Sequence, residues 1–253
     1  MLESLLTTSV FNFLLVFARL GIVMMLLPGF GAAYITARTR LAFSLPLALV
    51  ILPTVAPALP PPPESASVLV FLLVSEVLVG VYLAFVVLLF QAALHLGGTS
   101  IGFAGGLMHA RAFDPVTAQS SPMMVNFMIL VSIVLIFAVD LHHLFIEAVV
   151  HSYSLFPPGV LPPPGDFVSY ATDVLDRSFR VGWQLAAPVV VFSFVFFVSM
   201  GIISRLMPQM NVFFVGLPLN ILLGLAMVFL TLPAIMLVYL RYLDEGVRTF
   251  IGF

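Results

Sequence analysis

GGTSIGFAGGLMHARAFDPVTAQSSP, residues 97–122, interrupts a chain that is otherwise almost continuously apolar. Five of these 26 residues are Gly (97, 98, 102, 105 and 106), and glycine lets a backbone take positive φ or approach another backbone closely. The stretch is therefore expected to be a loop rather than a helix, with three apolar segments on either side. At membrane depth irregular backbone survives only where protein or a water-filled cavity surrounds it, because lipid cannot satisfy free N–H and C=O groups. Two readings stay open from the residues alone: a loop lining a passage, and an ordinary connector between spans.

Composition settles the class. The chain is 62% hydrophobic and 8% charged with a mean hydropathy of +1.22, whereas soluble domains are roughly 45–50% apolar and about a quarter charged. It is an all-α, multi-pass integral membrane protein in this reading, a single domain over 1–253 with the Gly-rich loop 97–122 between two hydrophobic halves. The net charge of -2 leaves no basic footprint for nucleic acid. All nine basic side chains are Arg, so Schiff-base chemistry on Lys is excluded. Without Cys there are no disulfides or thiolate sites. The start MLESLLTTSVFNF has an early Glu and no early basic residue, the wrong pattern for a cleaved signal peptide, so the first segment is expected to remain.

Outward from the loop, six hydrophobic segments follow from the pattern. The first, 5–27, is long enough to cross a hydrocarbon core of roughly 30 Å. It carries Arg19, which must face protein, water or the interface, since a charge mid-span costs roughly 2.5–3.5 kcal/mol. Pro28, Gly29 and Gly31 end it, and Arg38 and Arg40 mark a polar turn. The second, 41–59, contains Pro46, Pro53 and Pro57 and leads into the stiff run 60–63. Ser65 or Ser67 is positioned to cap the third, 68–96, which holds Glu76; pairing with Arg19 is one way to satisfy both charges. After the loop comes 123–150. Asp166 then suits the N-cap of a short amphipathic helix lying on a surface, with Phe167, Tyr170, Ala171, Val174 and Ser178 on one face and Asp173, Asp176, Arg177 and Arg180 on the other. The fifth segment is 181–203, opened by Trp183 as an interface anchor. In the sixth, 35 residues without formal charge separate Arg205 from Arg241, and Pro218 and Pro233 predict a bent or broken helix. Arg38, Arg40, Arg111 and Arg205 balance Arg177, Arg180, Arg241 and Arg248 across a six-span count, so the positive-inside rule assigns no orientation.

The densest chemical pattern is DLHHLFIEAVVHSY (140–153), where Asp140, His143, Glu147 and His151 fall near one helical face. Such groups suit a metal site or a proton relay. Neither HExxH nor a second ligand cluster accompanies them, and the plainer reading is a helix end emerging at headgroup level. No catalytic, cofactor-binding or metal residue is assigned. Nothing matches GxxxxGK[ST], so energy for any transport comes from elsewhere.

Several motifs together resemble a known family. They are Arg19-Leu20-Gly21 with Pro28, the Arg38 and Arg40 turn, Phe113-Asp114-Pro115 with Ser121-Pro122, His142-His143-Leu144, and above all RLMPQMNVF at 205–213 with Gly216 and Pro218. The pattern, nearly chain-long, is similar to the FliR family of flagellar type III export-gate proteins, with the injectisome export apparatus as the related alternative. The resemblance implies a subunit packed with FliP-like and FliQ-like proteins in a helical inner-membrane gate of the flagellar basal body. FlhB-like and FlhA-like components would stand alongside, and unfolded flagellar proteins would be the substrates. It also implies that a loop plugs the passage, carried here by Gly105, Gly106, Leu107, Met108, His109, Ala110, Arg111, Ala112 and Phe113. Arg19, Arg205, Pro208, Gln209, Asn211, Phe213 and Pro218 carry the family motif and serve assembly. Glu76, Asp140, His143 and Glu147 are the buried polar candidates. The rival reading is a proton-coupled secondary transporter using Arg19, Glu76, Asp140 and Glu147, although the halves show no repeat of the kind such transporters often have. An intramembrane metalloenzyme on His143, Glu147 and His151 is a distant third.

Overall fold

The computed structural model describes residues 2–31, 35–107, 123–160, 163–209, 211–249 and 251. Among them there is no strand, and seven α-helices follow in order: α1 Leu2–Leu26, α2 Ala37–Val55, α3 Ala66–Ala104, α4 Met123–Ala138, α5 Leu141–Leu155, α6 Pro164–Leu206 and α7 Val212–Arg248. Five regions are long and apolar enough to cross a membrane, and a sixth arises if α4 and α5 count as one bent span. The multi-pass, all-α expectation holds.

The boundaries differ from the sequence reading in four places, each for a local reason. The Gly-rich stretch does not begin as a loop: α3 continues through Gly97, Gly98 and Gly102 to Ala104. These glycines serve close approach instead. A Cβ at Gly98 would stand 2.9 Å from the Val125 Cα of α4, so the helices touch where no larger residue fits. The segment 123–150 is not one helix, because α4 and α5 meet at a bend of 78°. Asp140 makes the corner with φ 59°, the sole positive-φ non-glycine residue among those described; aspartate visits the left-handed region more readily than most residues.

The amphipathic piece and the fifth segment are one helix, α6, 43 residues long. Pro164 lies in its first turn, so Asp166 sits inside that turn rather than capping it. A carboxylate there still complements the helix dipole. No breaker stands between Ser178 and Val181, and the Arg180 guanidinium pairs with Asp176 one turn back. The amphipathic face itself is as expected: Val174 and Ser178 are buried and the four charges are exposed. Finally, α7 is a continuous 37-residue helix with Pro218 and Pro233 inside it, not a broken one.

At 1.5 Å per residue α3, α6 and α7 measure about 58, 64 and 55 Å, close to twice the roughly 30 Å of a hydrocarbon core. Thr36 caps α2, its hydroxyl accepting from the Thr39 N–H, and α3 restarts just after Ser65.

Two compact units form, and each draws on residues from both sides of the 97–122 stretch. One comprises Met1–Leu89, Ile136–Val174 and Asp244–Phe253; the other comprises Phe90–Leu135 and Leu175–Leu243. The first buries Leu15, Leu20, Met24 and Tyr153 around a charged centre; the second buries Phe90, Leu94, Ile101, Met128, Leu185, Tyr239 and Leu243.

Candidate functional site

The charged centre of the first unit is Arg19. It is fully buried, as is Glu76, and the two carboxylate oxygens accept a fork from its Nε and Nη2 at 2.8 and 2.9 Å. Bidentate pairing of this kind is the strongest form of the interaction. The remaining donors also find partners. Nη1 donates to Ser152 Oγ at 3.0 Å and Nη2 to the Phe156 carbonyl at 2.8 Å. The guanidinium carbon lies 3.9 Å from the centroid of the Tyr153 ring, a cation–π placement. One side chain of α1 thus holds α3, α5 and the turn after α5. Gly80 allows this: a Cβ there would stand 2.7 Å from the Arg19 carbonyl. The proposed ion pair is present, but Ser152, Tyr153 and the Phe156 carbonyl were not legible beforehand. Three partners around one buried Arg are what its five donors require, yet nothing in a one-dimensional pattern says which residues supply them.

The other polar candidates are not enclosed by this chain. Asp140, His143 and Glu147 are exposed. The expected common face is interrupted because Asp140 sits on the 78° corner and α5 begins only at Leu141. The corner instead brings Asp140, His142 and His143 together, their ligand-capable atoms within 4.8 Å of one another. His143 Nδ1 lies 3.9 Å from Asp140 Oδ1, with both side chains largely exposed. Replacing His143 and His151 together by Gln keeps polarity while removing the imidazoles as metal ligands. Motility of a complemented strain is expected to stay near wild type; its abolition with a normal amount of assembled complex would give these residues a chemical role.

At the other end of α3, Gly105, Gly106 and Leu107 form a turn in the second unit. Met108, His109, Ala110, Arg111, Ala112 and Phe113 lie outside the described residues. Asn220 on α7, buried at 3% exposure, donates from Nδ2 to the Ala104 carbonyl at 3.3 Å. Gly224, one turn further along α7, lies against Gly105: a Cβ on it would stand 2.8 Å from the Gly105 Cα. Neither residue stood out in the sequence. The signal was there: a lone amide in an apolar helix needs a protein partner, and a glycine four residues on shares its face.

The motif residues Arg205, Pro208, Gln209, Asn211 and Pro218 are all exposed, and the Phe213 side chain lies outside the description. Met207–Gln209 form the break between α6 and α7, with the Met207 N–H closing onto the Ile203 carbonyl at 2.9 Å. Among the described residues, this Pro-containing turn between two long apolar helices is exposed rather than packed.

The motifs are placed by comparison. The family of bacterial export proteins, family 1, matches residues 10–246. The chain belongs to the FliR family of bacterial export proteins. The flagellar biosynthetic protein FliR of Caulobacter vibrioides is 39% identical to it over 225 residues, covering 89% of this chain and 90% of the relative. That of Bacillus subtilis is 31% identical over 240 residues, covering 94% and 92%. That of Escherichia coli is 26% identical over 191 residues, covering 75% and 73%. The match includes Arg19, Glu76, the 140–156 corner and the 205–224 region, so the FliR-family frame spans both sites described above.

Proposed function

We propose that this chain is a core subunit of the bacterial flagellar type III export gate. With FliP-like and FliQ-like subunits in the inner membrane, and FlhB-like and FlhA-like components beside them, it forms the passage for unfolded flagellar proteins and performs no covalent chemistry. The relatives named above are flagellar biosynthetic proteins, which supports a flagellar rather than an injectisome assignment. The structural observation that supports a multi-subunit gate is the length of α3, α6 and α7 combined with their outward surfaces. Phe214, Leu222, Phe229 and Leu230 of α7 are each more than half exposed, on a helix about 55 Å long. A bilayer covers only part of such a surface, and the rest needs protein. A secondary transporter working through Arg19 and Glu76 is less well supported, because both groups are locked into a buried, fully partnered pair.

In this reading the segment that opens at Gly105 plugs the passage at rest. Removing residues 105–112 from a chain co-expressed with its partners is expected to leave the complex assembled, make the membrane leaky to small ions and slow growth. Unchanged ion conductance and unchanged export in an assembled complex would make this segment a connector and place the closure elsewhere. Expressed alone, the chain is expected to aggregate and to be rescued by its partners. A monodisperse solitary form in detergent that transports a small solute would favour the transporter.

A further inference from the structure

Asn220 and Gly224 lie one helical turn apart on α7 and meet three consecutive residues: the Ala104 carbonyl and the Gly105–Gly106 backbone. We propose that they are a positioning pair, which fixes where α3 stops and in which direction the chain leaves it at Gly105–Leu107. The proposal rests on reading the segment that starts there as the plug.

Four observations carry it. First, α3 does not end at its earlier glycines; it passes through Gly97, Gly98 and Gly102 and ends at Ala104, beside Asn220 and Gly224 of α7. Composition alone therefore does not set the end point. Second, the last carbonyls of a helix lack intrahelical partners, and the Asn220 amide supplies one, donating to the Ala104 carbonyl. Third, Gly106 has φ +73° and the Asn220 amide nitrogen stands 2.8 Å from where its Cβ would be. A side chain at 106 would be strained and obstructed together. Fourth, Asn220 is buried, yet its Oδ1 has no hydrogen-bond partner among the described residues. A buried acceptor left open is costly, and an apolar residue of similar size would avoid that cost if packing were its only task. What an amide adds there is the donor aimed at the end of α3.

The contact is asymmetric, and that makes it testable. A Cβ on Gly224 would stand 2.8 Å from the Gly105 Cα and 3.0 Å from its carbonyl oxygen. Both are backbone atoms, so the end of α3 must move. A Cβ on Gly105 would instead meet the Ile101 carbonyl of its own preceding turn at 3.2 Å and the Gly224 Cα at 3.9 Å. The same methyl group on opposite sides of one contact therefore meets backbone at 2.8 Å in one case and at 3.2 Å in the other.

The experiment uses the full chain co-expressed with its FliP-like and FliQ-like partners. It reads the amount of assembled complex, potassium efflux from resting cells and export of a flagellar substrate. Gly224→Ala and Asn220→Leu are expected to assemble at near wild-type amounts and to raise resting efflux by about fivefold, the factor that goes with one buried hydrogen bond. Gly201→Ala on α6, where nothing lies within 4 Å of a Cβ, is expected to match wild type, and Asn220→Gln, which keeps the amide, to fall closer to wild type than Asn220→Leu. Deletion of residues 105–112 in parallel separates the two readings. If the deletion leaks but Gly224→Ala and Asn220→Leu assemble and seal like wild type, the positioning pair is wrong and the plug stands. If the pair variants leak and the deletion does not, the pair stands and the plug is wrong. Silence of all three defeats both. Failure of both Gly224→Ala and Asn220→Leu to assemble would reduce the pair to packing and defeat the proposal, as would equal effects of Gly201→Ala and Gly224→Ala.

Discussion

Arg19→Met is expected to remove most of the assembled complex, whereas Arg19→Met combined with Glu76→Met is expected to restore a large part of it. The single change leaves a carboxylate with no cation in a fully enclosed site. Breaking a buried pair from one side costs about 3–5 kcal/mol, while replacing both members by apolar groups of similar volume is often close to neutral. Recovery in the double variant should stop short of wild type. Ser152 keeps an acceptor of its own, since its hydroxyl also donates to the Val149 carbonyl at 2.6 Å. The Phe156 carbonyl loses the Arg19 donor, at a cost of about 1–3 kcal/mol for a buried acceptor left open. Arg19→Lys should fall near the single Met variant, because an ammonium cannot reproduce the fork to Glu76 while also reaching Ser152 and Phe156. The readouts are the steady-state amount of complex and its thermal midpoint after purification. A double variant no better than the single one would mean that the charges, rather than their mutual compensation, are what the protein needs.

A comparable loss is expected from Gly80→Val. The new Cβ would stand 2.7 Å from the Arg19 carbonyl and 3.3 Å from its Cα, so α1 and α3 must separate at the point where Arg19 and Glu76 are paired. Overpacking of a tight interior costs about 1–3 kcal/mol, occasionally more, and here the displacement also lengthens the charged hydrogen bonds. Gly201→Val on α6 is the control, because nothing lies within 4 Å of a Cβ at that position. The two variants behaving alike in thermal midpoint and yield would show that helix propensity, not the α1–α3 contact, governs the response.

These two positions also mark what the amino-acid pattern could and could not convey. Charges at 19 and 76 inside apolar segments announce their own need for partners, and each was the simplest partner for the other. Their further contacts come from residues more than 130 positions away in the chain, which no local period encodes. Glycine was the most ambiguous letter. At 97, 98 and 102 it looked like a loop and proved to be helix, with another backbone approaching at 97 and 98, because glycine permits both uses equally. Proline misled in the same way within α7, where Pro218 and Pro233 sit in a continuous helix. Asp140 misled in the opposite sense: its place in an apolar run suggested one more helical residue, while its side chain tolerates the left-handed turn that divides α4 from α5. The family motif at 205–213 was the most specific signal in the sequence, yet its described side chains are exposed and make no contact that explains them within a single chain.

The two units described above differ in which parts of the chain they require, and this sets a timetable for biosynthesis. Residues up to Leu89 leave the ribosome early, but the unit they belong to also takes Ile136–Val174 and Asp244–Phe253. The second unit likewise waits for the stretch ending at Leu243. At translation rates of about 5–20 residues per second, the interval between Leu89 and Leu243 is about 10–30 s. Through that interval the nascent chain carries Arg19 and Glu76 in apolar segments before the last pieces of their unit exist. The Arg19–Glu76 fork needs nothing beyond residue 89, so pairing of α1 with α3 is the one contact of this centre open to the nascent chain while the rest is made.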